Sequence, residues 1–141
     1  MYADTRWKQR FSNYKKALKQ LNETALFFEK SQTNGDKIAA KVALEALVKC
    51  FEFTFELAWQ TMKDFISFKG FVKEIYGSRD SIRSALQFNI IENGQMWIDM
   101  IEDRNRAAHA YDENNAAGLT KRIIEFYVEE FNKFENKMDG F

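Results

Sequence analysis

Residues 7–28 read WKQRFSNYKKALKQLNETALFF. Trp7, Phe11, Tyr14, Leu18, Leu21, Ala25 and Phe28 step by four and three residues without a break. Such steps put all of them on one stripe of an α-helix, with Lys, Arg, Gln, Asn and Glu on the opposite face. A long helix with one narrow apolar seam buries that seam against other helices, as in antiparallel bundles. The spacing predicts a first helix from about Asp4, as N-cap, to Lys30, broken by Gln32-Thr33-Asn34-Gly35.

The same rhythm continues downstream. Leu44, Val48, Phe51, Phe55, Ala58, Met62 and Phe65 predict a second helix from about Asp36 to Phe68, stopped by Gly70 as a C-cap residue. Ala46, Cys50, Phe53 and Leu57 add a second apolar flank and suggest a central helix. Its polar strip is Glu45, Lys49, Glu52, Glu56 and Lys63, in which Glu45 and Lys49 can pair at i,i+4. A connector from Phe71 leads to Ser78, which is expected to cap a short third helix reaching about Phe88. Asn93-Gly94 opens a fourth helix. A turn at Asp112 to Asn115 precedes a fifth helix to about Met138, with Leu119, Ile123, Tyr127, Glu130 and Phe134 on one face, widened by Phe126 and Phe131. The expected fold is all-α: an up-and-down antiparallel bundle of four to five helices, one domain over residues 1–141.

Composition agrees. Hydrophobic residues are 45% of 141 and aromatics 16%, which excludes a disordered chain, and no proline interrupts a helix. Lys+Arg and Asp+Glu both number 21, so no general basic surplus grips nucleic acid, although a local patch can still do so. One cysteine, Cys50, and one histidine, His109, speak against a disulfide framework, a Cys/His metal centre or a Ser-His-Asp triad, so no metal or cofactor is expected. Gly77-Ser78 resembles the Gly-Ser of nucleotidyltransferases. No Asp-x-Asp follows it to hold metal, so the chain alone is not expected to transfer nucleotides. The polar start, Met1 to Arg6, and the lack of an apolar run of spanning length make a cytoplasmic protein, with no membrane partner, the expectation.

The chemistry concentrates in residues 103–111, Asp-Arg-Asn-Arg-Ala-Ala-His-Ala-Tyr. Trp97, Ile101, Arg104, Ala108 and Tyr111 form a helical stripe in which Arg104 stands where an apolar residue is expected. A guanidinium cannot shed its charge, so a buried one needs a carboxylate partner. Glu52 or Glu56 can supply it, and removing one side of a buried pair would cost about 3–5 kcal/mol. Arg104 then reads either as a structural arginine or as a phosphate ligand, and His109 either as a helix-end residue or as an acid–base group. Arg79 and Arg83 share a face of the third helix and either bind a phosphate or face water.

Arg104-Asn105-x-x-x-His109-x-Tyr111 resembles the signature of HEPN domains, in particular the branch called nucleotidyltransferase substrate-binding proteins. Phe55-Glu56-Leu57-Ala58-Trp59, Arg79-Asp80-x-Ile82-Arg83, Trp97 with Met100, and Tyr127 extend the likeness over most of the chain. The resemblance implies a homodimer with two motifs facing one cleft. It also implies a minimal nucleotidyltransferase, encoded by a neighbouring gene, as partner. Members with His-x-Tyr are similar to metal-independent RNase toxins that the partner neutralises by adding adenylate to the tyrosine. The roles implied are catalytic for Arg104 and His109, supporting for Asn105, and modification for Tyr111. The ligand that the resemblance implies is RNA or a nucleotide. The alternative is a non-catalytic subunit that only presents a nucleotide or substrate to the partner.

Overall fold

A computed structural model describes residues 2–71, 74–107 and 113–141, without the side chains of residues 2–4 and 113–115. Helix α1 (Tyr2–Thr33) and helix α2 (Lys37–Lys69) form a long antiparallel hairpin. Helices α3 (Ser78–Gln87) and α4 (Gly94–Ala107) follow. The last rod consists of α5 (Glu113–Arg122), a π-helical turn (Ile123–Tyr127) and α6 (Val128–Asp139). Every described element is helical, as the seams predict.

The ends follow local chemistry. Asp36 caps α2, its carboxylate accepting from the N–H groups of Ile38 and Ala39, and Gly70 ends the helix in the left-handed region at φ 73°. Asn93 accepts from the Met96 N–H at 3.1 Å and so caps α4. Three expected starts move, one of them that of α5, which begins at Glu113 inside the stretch expected as a turn. Helix α1 begins at Tyr2, so Asp4 lies inside it. At α3 the cap is Gly77 and Ser78 is already helical; Gly77 has φ 147°, a conformation glycine alone adopts readily.

The core lies where the seams converge. Tyr14, Leu18, Leu21, Phe51, Phe55, Met62, Trp97, Ile123, Tyr127, Phe131 and Phe134 are almost wholly buried, each worth roughly 1.5–3 kcal/mol of transfer free energy. Trp97 meets Phe131 and Phe134 edge-on at 5.6 and 5.7 Å, and Phe51 stacks on Tyr127 at 5.4 Å. The Tyr14 hydroxyl donates to the Phe131 carbonyl at 2.7 Å and so ties α1 to α6. Two expected core residues are not core. Phe53 is 60% exposed and Phe126 47%, because the helices packed on their rods cover only the main seams. Lys49 pairs with Glu52 at 3.8 Å, not with Glu45. No helix among the described residues is long and apolar enough to cross a membrane.

Candidate functional site

Where α4 crosses α2, Arg104 Nη1 donates to Glu56 Oε2 at 2.9 Å, and its guanidinium lies over the Phe55 ring at 5.3 Å. Its Nη2 reaches Asn105 Oδ1 at 3.5 Å. Of the two acids expected to meet Arg104, the partner is Glu56. Glu56 is held in turn, because its Oε1 accepts from Gln60 Nε2 at 3.1 Å. Gln60 Oε1 accepts from Arg10 Nη1 at 2.5 Å, and Arg10 Nε donates to Asp64 at 3.0 Å. A polar chain along α2, anchored from α1, thus fixes the carboxylate that fixes Arg104. The Arg104 and Glu56 side chains keep 28% and 41% of their exposure, so the pair is worth about 1 kcal/mol at most. This revises the 3–5 kcal/mol expected of a buried pair: Arg104 is oriented, yet still open to an anion.

The neighbour of Arg104 sets the orientation of α4. Asp103 is only 3% exposed, and Arg122 grips both its oxygens, Nε to Oδ2 and Nη2 to Oδ1, each at 2.7 Å. The Tyr127 hydroxyl donates to Oδ2, and Arg106 lies 3.6 Å from Oδ1. Burial, and then the Asp103 carboxylate, push the Tyr127 hydroxyl well above the usual tyrosine range. The hydrogen bond to Asp103 raises Arg122. The π-helical turn contains Tyr127 and follows Arg122 directly, with the Val128 N–H bonded back to the Ile123 carbonyl. One inserted residue of this kind re-aims the side chains around it. Asp103 is not among the site residues expected from the sequence. Its signal there is the stripe Met96, Met100, Asp103, Ala107, where a carboxylate interrupts an apolar seam.

Arg104 is one wall of an open groove of about 670 Å³, which Arg79 and Arg83 of α3 also line, together with Trp59, Tyr76 and Asp80. Gly77 and Ser78, at the start of α3, where no side chain bonds the first turn as a cap, complete it. Arg79 is paired with Glu102 at 3.2 Å, with both side chains nearly half exposed, so an anion displaces Glu102 at little cost. Arg83 has no ion-pair partner among the described residues. The fold therefore brings Arg104, Arg79 and Arg83 to one groove, while Asn105 meets its neighbour Arg104 and is not among the groove's lining residues. His109 and Tyr111 lie outside the described residues, beyond the last described turn of α4. Among the described residues no three His, Cys, Asp or Glu side chains gather as a metal site would.

A family model described as nucleotidyltransferase substrate binding protein like matches residues 9–140. A curated relative from Haemophilus influenzae, named probable ribonuclease HepT, is 27% identical over 95 residues, covering 65% of each chain. The chain thus spans about two thirds of the length of that relative. A solved Haemophilus influenzae structure, described as the fold of a substrate binding domain of a nucleotidyltransferase, superposes with a TM-score of 0.80 and 21% identity. The match covers 92% of this chain and 98% of that one. A crystal structure from Thermus thermophilus gives a TM-score of 0.70 and 22% identity over 90% of this chain and 96% of that one.

Proposed function

Because this chain belongs to the nucleotidyltransferase substrate binding protein like family, we propose that it is the HEPN half of a two-gene system whose other half is a minimal nucleotidyltransferase. In this reading the HEPN half is a metal-independent endoribonuclease, and its partner silences it by adenylylating Tyr111. The observation that carries the reading is the convergence of Arg79, Arg83 and Arg104 on one groove, five residues ahead of the chain's single histidine in the case of Arg104.

The chemistry assigns each group a task. A base, His109, takes the proton from a ribose 2′-hydroxyl. The 2′-oxygen attacks the adjacent phosphorus, the P–O5′ bond breaks, and a 2′,3′-cyclic phosphate and a 5′-hydroxyl result. The leaving oxygen needs a proton, which the partner subunit's His109 supplies if two motifs share one cleft. Arg104 neutralises the phosphate as negative charge builds on it. Asn105, bonded to Arg104, steadies it. Silencing is equally local. The Tyr111 oxygen attacks the α-phosphate of ATP, pyrophosphate leaves, and the tyrosine proton passes to a base of the partner enzyme. The tethered phosphate then competes for Arg104.

The decisive assay is cleavage of single-stranded RNA in EDTA by the purified chain, with Arg104→Ala and His109→Ala as controls. Cleavage lost in both variants supports the reading; cleavage that persists in both, or that needs added metal, sinks it. Intact mass after co-expression with the neighbouring nucleotidyltransferase tests the modification: an adenylate mass absent from Tyr111→Phe is the expected result. Light scattering at micromolar concentration tests the dimer. A second reading, a subunit that binds a nucleotide for the transferase and cleaves nothing, draws on one observation: Glu56 already neutralises Arg104, as in a binding site that exchanges one anion for another. No cleavage, together with saturable nucleotide binding, would favour it.

A further inference from the structure

The arginine groove contains more than a cleavage centre requires. Tyr76 stands on its rim and is 82% exposed, the largest exposure of any bulky apolar or aromatic side chain described. Its placement is nevertheless specific. Its backbone N–H donates to Asp80 Oδ2 at 3.0 Å, and its hydroxyl donates to Glu74. Both ties are local: one holds the backbone and the other meets only the hydroxyl tip, so the ring's faces stay open to solvent. Trp59 lines the same groove from α2, half-buried, and its carbonyl is pinned by the Ser81 hydroxyl at 2.7 Å. Two aromatic residues, Trp59 and Tyr76, therefore share one open groove with Arg79, Arg83 and Arg104, and with the Asp80 carboxylate.

An exposed aromatic ring that shares a groove with three guanidiniums suits one kind of ligand: an unpaired base joined to phosphates. The base stacks on the ring while the arginines hold the backbone. A duplex cannot use such a ring, because its bases are already stacked. Three arginines drawn from two helices also exceed what a single terminal phosphate engages, and the open groove lets a strand pass through. We infer that this groove is a subsite for single-stranded RNA, in which an unpaired base next to the phosphate held by Arg104 stacks on Tyr76 while Arg79 and Arg83 hold the following phosphates. The inference rests on the ribonuclease reading for its choice of RNA, but its test does not depend on cleavage. Free nucleotide carries the same base-and-phosphate chemistry and is the competing source.

The probe is a ten-nucleotide single-stranded RNA made uncleavable by 2′-O-methylation and carrying one 2-aminopurine, whose fluorescence is quenched on stacking. The full chain is titrated with it at several salt concentrations. For the parent, saturable quenching is expected. Tyr76→Ala should weaken binding about tenfold, or about 1.4 kcal/mol, and abolish the quench. Tyr76→Phe should preserve both, since the ring and not its hydroxyl does the stacking. Arg79→Ala and Arg83→Ala should each lower the slope of log affinity against log salt by about 0.7. Tyr76 is exposed, so its variants fold as the parent does. An abasic oligonucleotide binding as tightly as the intact one, or Tyr76→Ala binding like the parent, overturns the stacking subsite. Adenosine monophosphate binding as tightly as the oligonucleotide overturns the choice of RNA over free nucleotide. A chain that binds and quenches in this way yet never cleaves RNA sinks the ribonuclease reading alone and leaves the subsite standing.

Discussion

Replacing Asp103 with Asn tests whether the buried carboxylate, more than the apolar seam, holds α4 in register with the last rod. The substitution preserves volume, removes the charge, and turns one acceptor oxygen into an N–H donor. Both oxygens now accept from Arg122 at 2.7 Å, and Tyr127 shares Oδ2, so the new amide must face a donor whichever way it is turned. Losing one charge-assisted bond and weakening another costs about 1.5–3 kcal/mol each. Arg122 retains 40% of its exposure and can rehydrate, which offsets part of that. Tyr127, 1% exposed, cannot reach water. The expected destabilisation is about 2–4 kcal/mol, or a fall in melting temperature of about 6–12 °C for a chain of this size. Urea unfolding of parent, Asp103→Asn, Arg122→Ala and the double variant provides the cycle, and a coupling energy of at least about 1 kcal/mol is expected. An Asn variant within about 0.5 kcal/mol of the parent would refute the reasoning, since that is the range of an ordinary surface change.

Arg104→Ala should abolish RNA cleavage while lowering stability by no more than about 1 kcal/mol, because the Glu56 left behind is 41% exposed; a loss of several kcal/mol in the urea melt would make Arg104 a structural residue. Tyr127 holds its proton above the ordinary value of 10.0, so the unfolded chain ionises first and stability falls as pH rises beyond about 10. Tyr127→Phe should flatten that fall by up to about 1.4 kcal/mol per pH unit, and an unchanged slope between pH 10 and 11 would count against the raised value. Burial also lifts the Glu130 carboxyl above its ordinary 4.5, against a smaller opposing pull from Lys133. The folded chain then holds that proton more tightly, and stability contributed below the unfolded value is lost as pH rises. Glu130→Gln should therefore be the more stable protein at pH 7, with the difference closing below about pH 4; a Gln variant less stable at neutral pH, by urea midpoint, would contradict this.

The helices are written in the sequence alone. A seam of apolar residues at steps of three and four has one physical solution, and Trp7 through Phe28, Val48 through Phe65 and Leu119 through Phe134 all adopt it. Ends were legible wherever a local bond sets them, as at Asp36 and Gly70, and blurred at Gly77, where a backbone angle decides. Arg104 stands out in the sequence because a charge interrupts an apolar stripe, whereas Asn105 is singled out by the resemblance to the HEPN signature. Periodicity cannot say which of two acids on a neighbouring helix meets that charge. Glu52 and Glu56 lie four residues apart on one strip of α2, and only the height at which α4 crosses selects Glu56. The same holds for Asp103: its burial depends on Arg122 and Tyr127 being carried to it by a rod 19 and 24 residues further along. The groove is the extreme case, since Trp59, Tyr76, Arg79, Arg83 and Arg104 come from two helices, a loop and a third helix. Local sequence encodes the direction in which each side chain leaves its own helix. Which of them face one another depends on how the helices pack, a property of the summed seams that no single stretch contains.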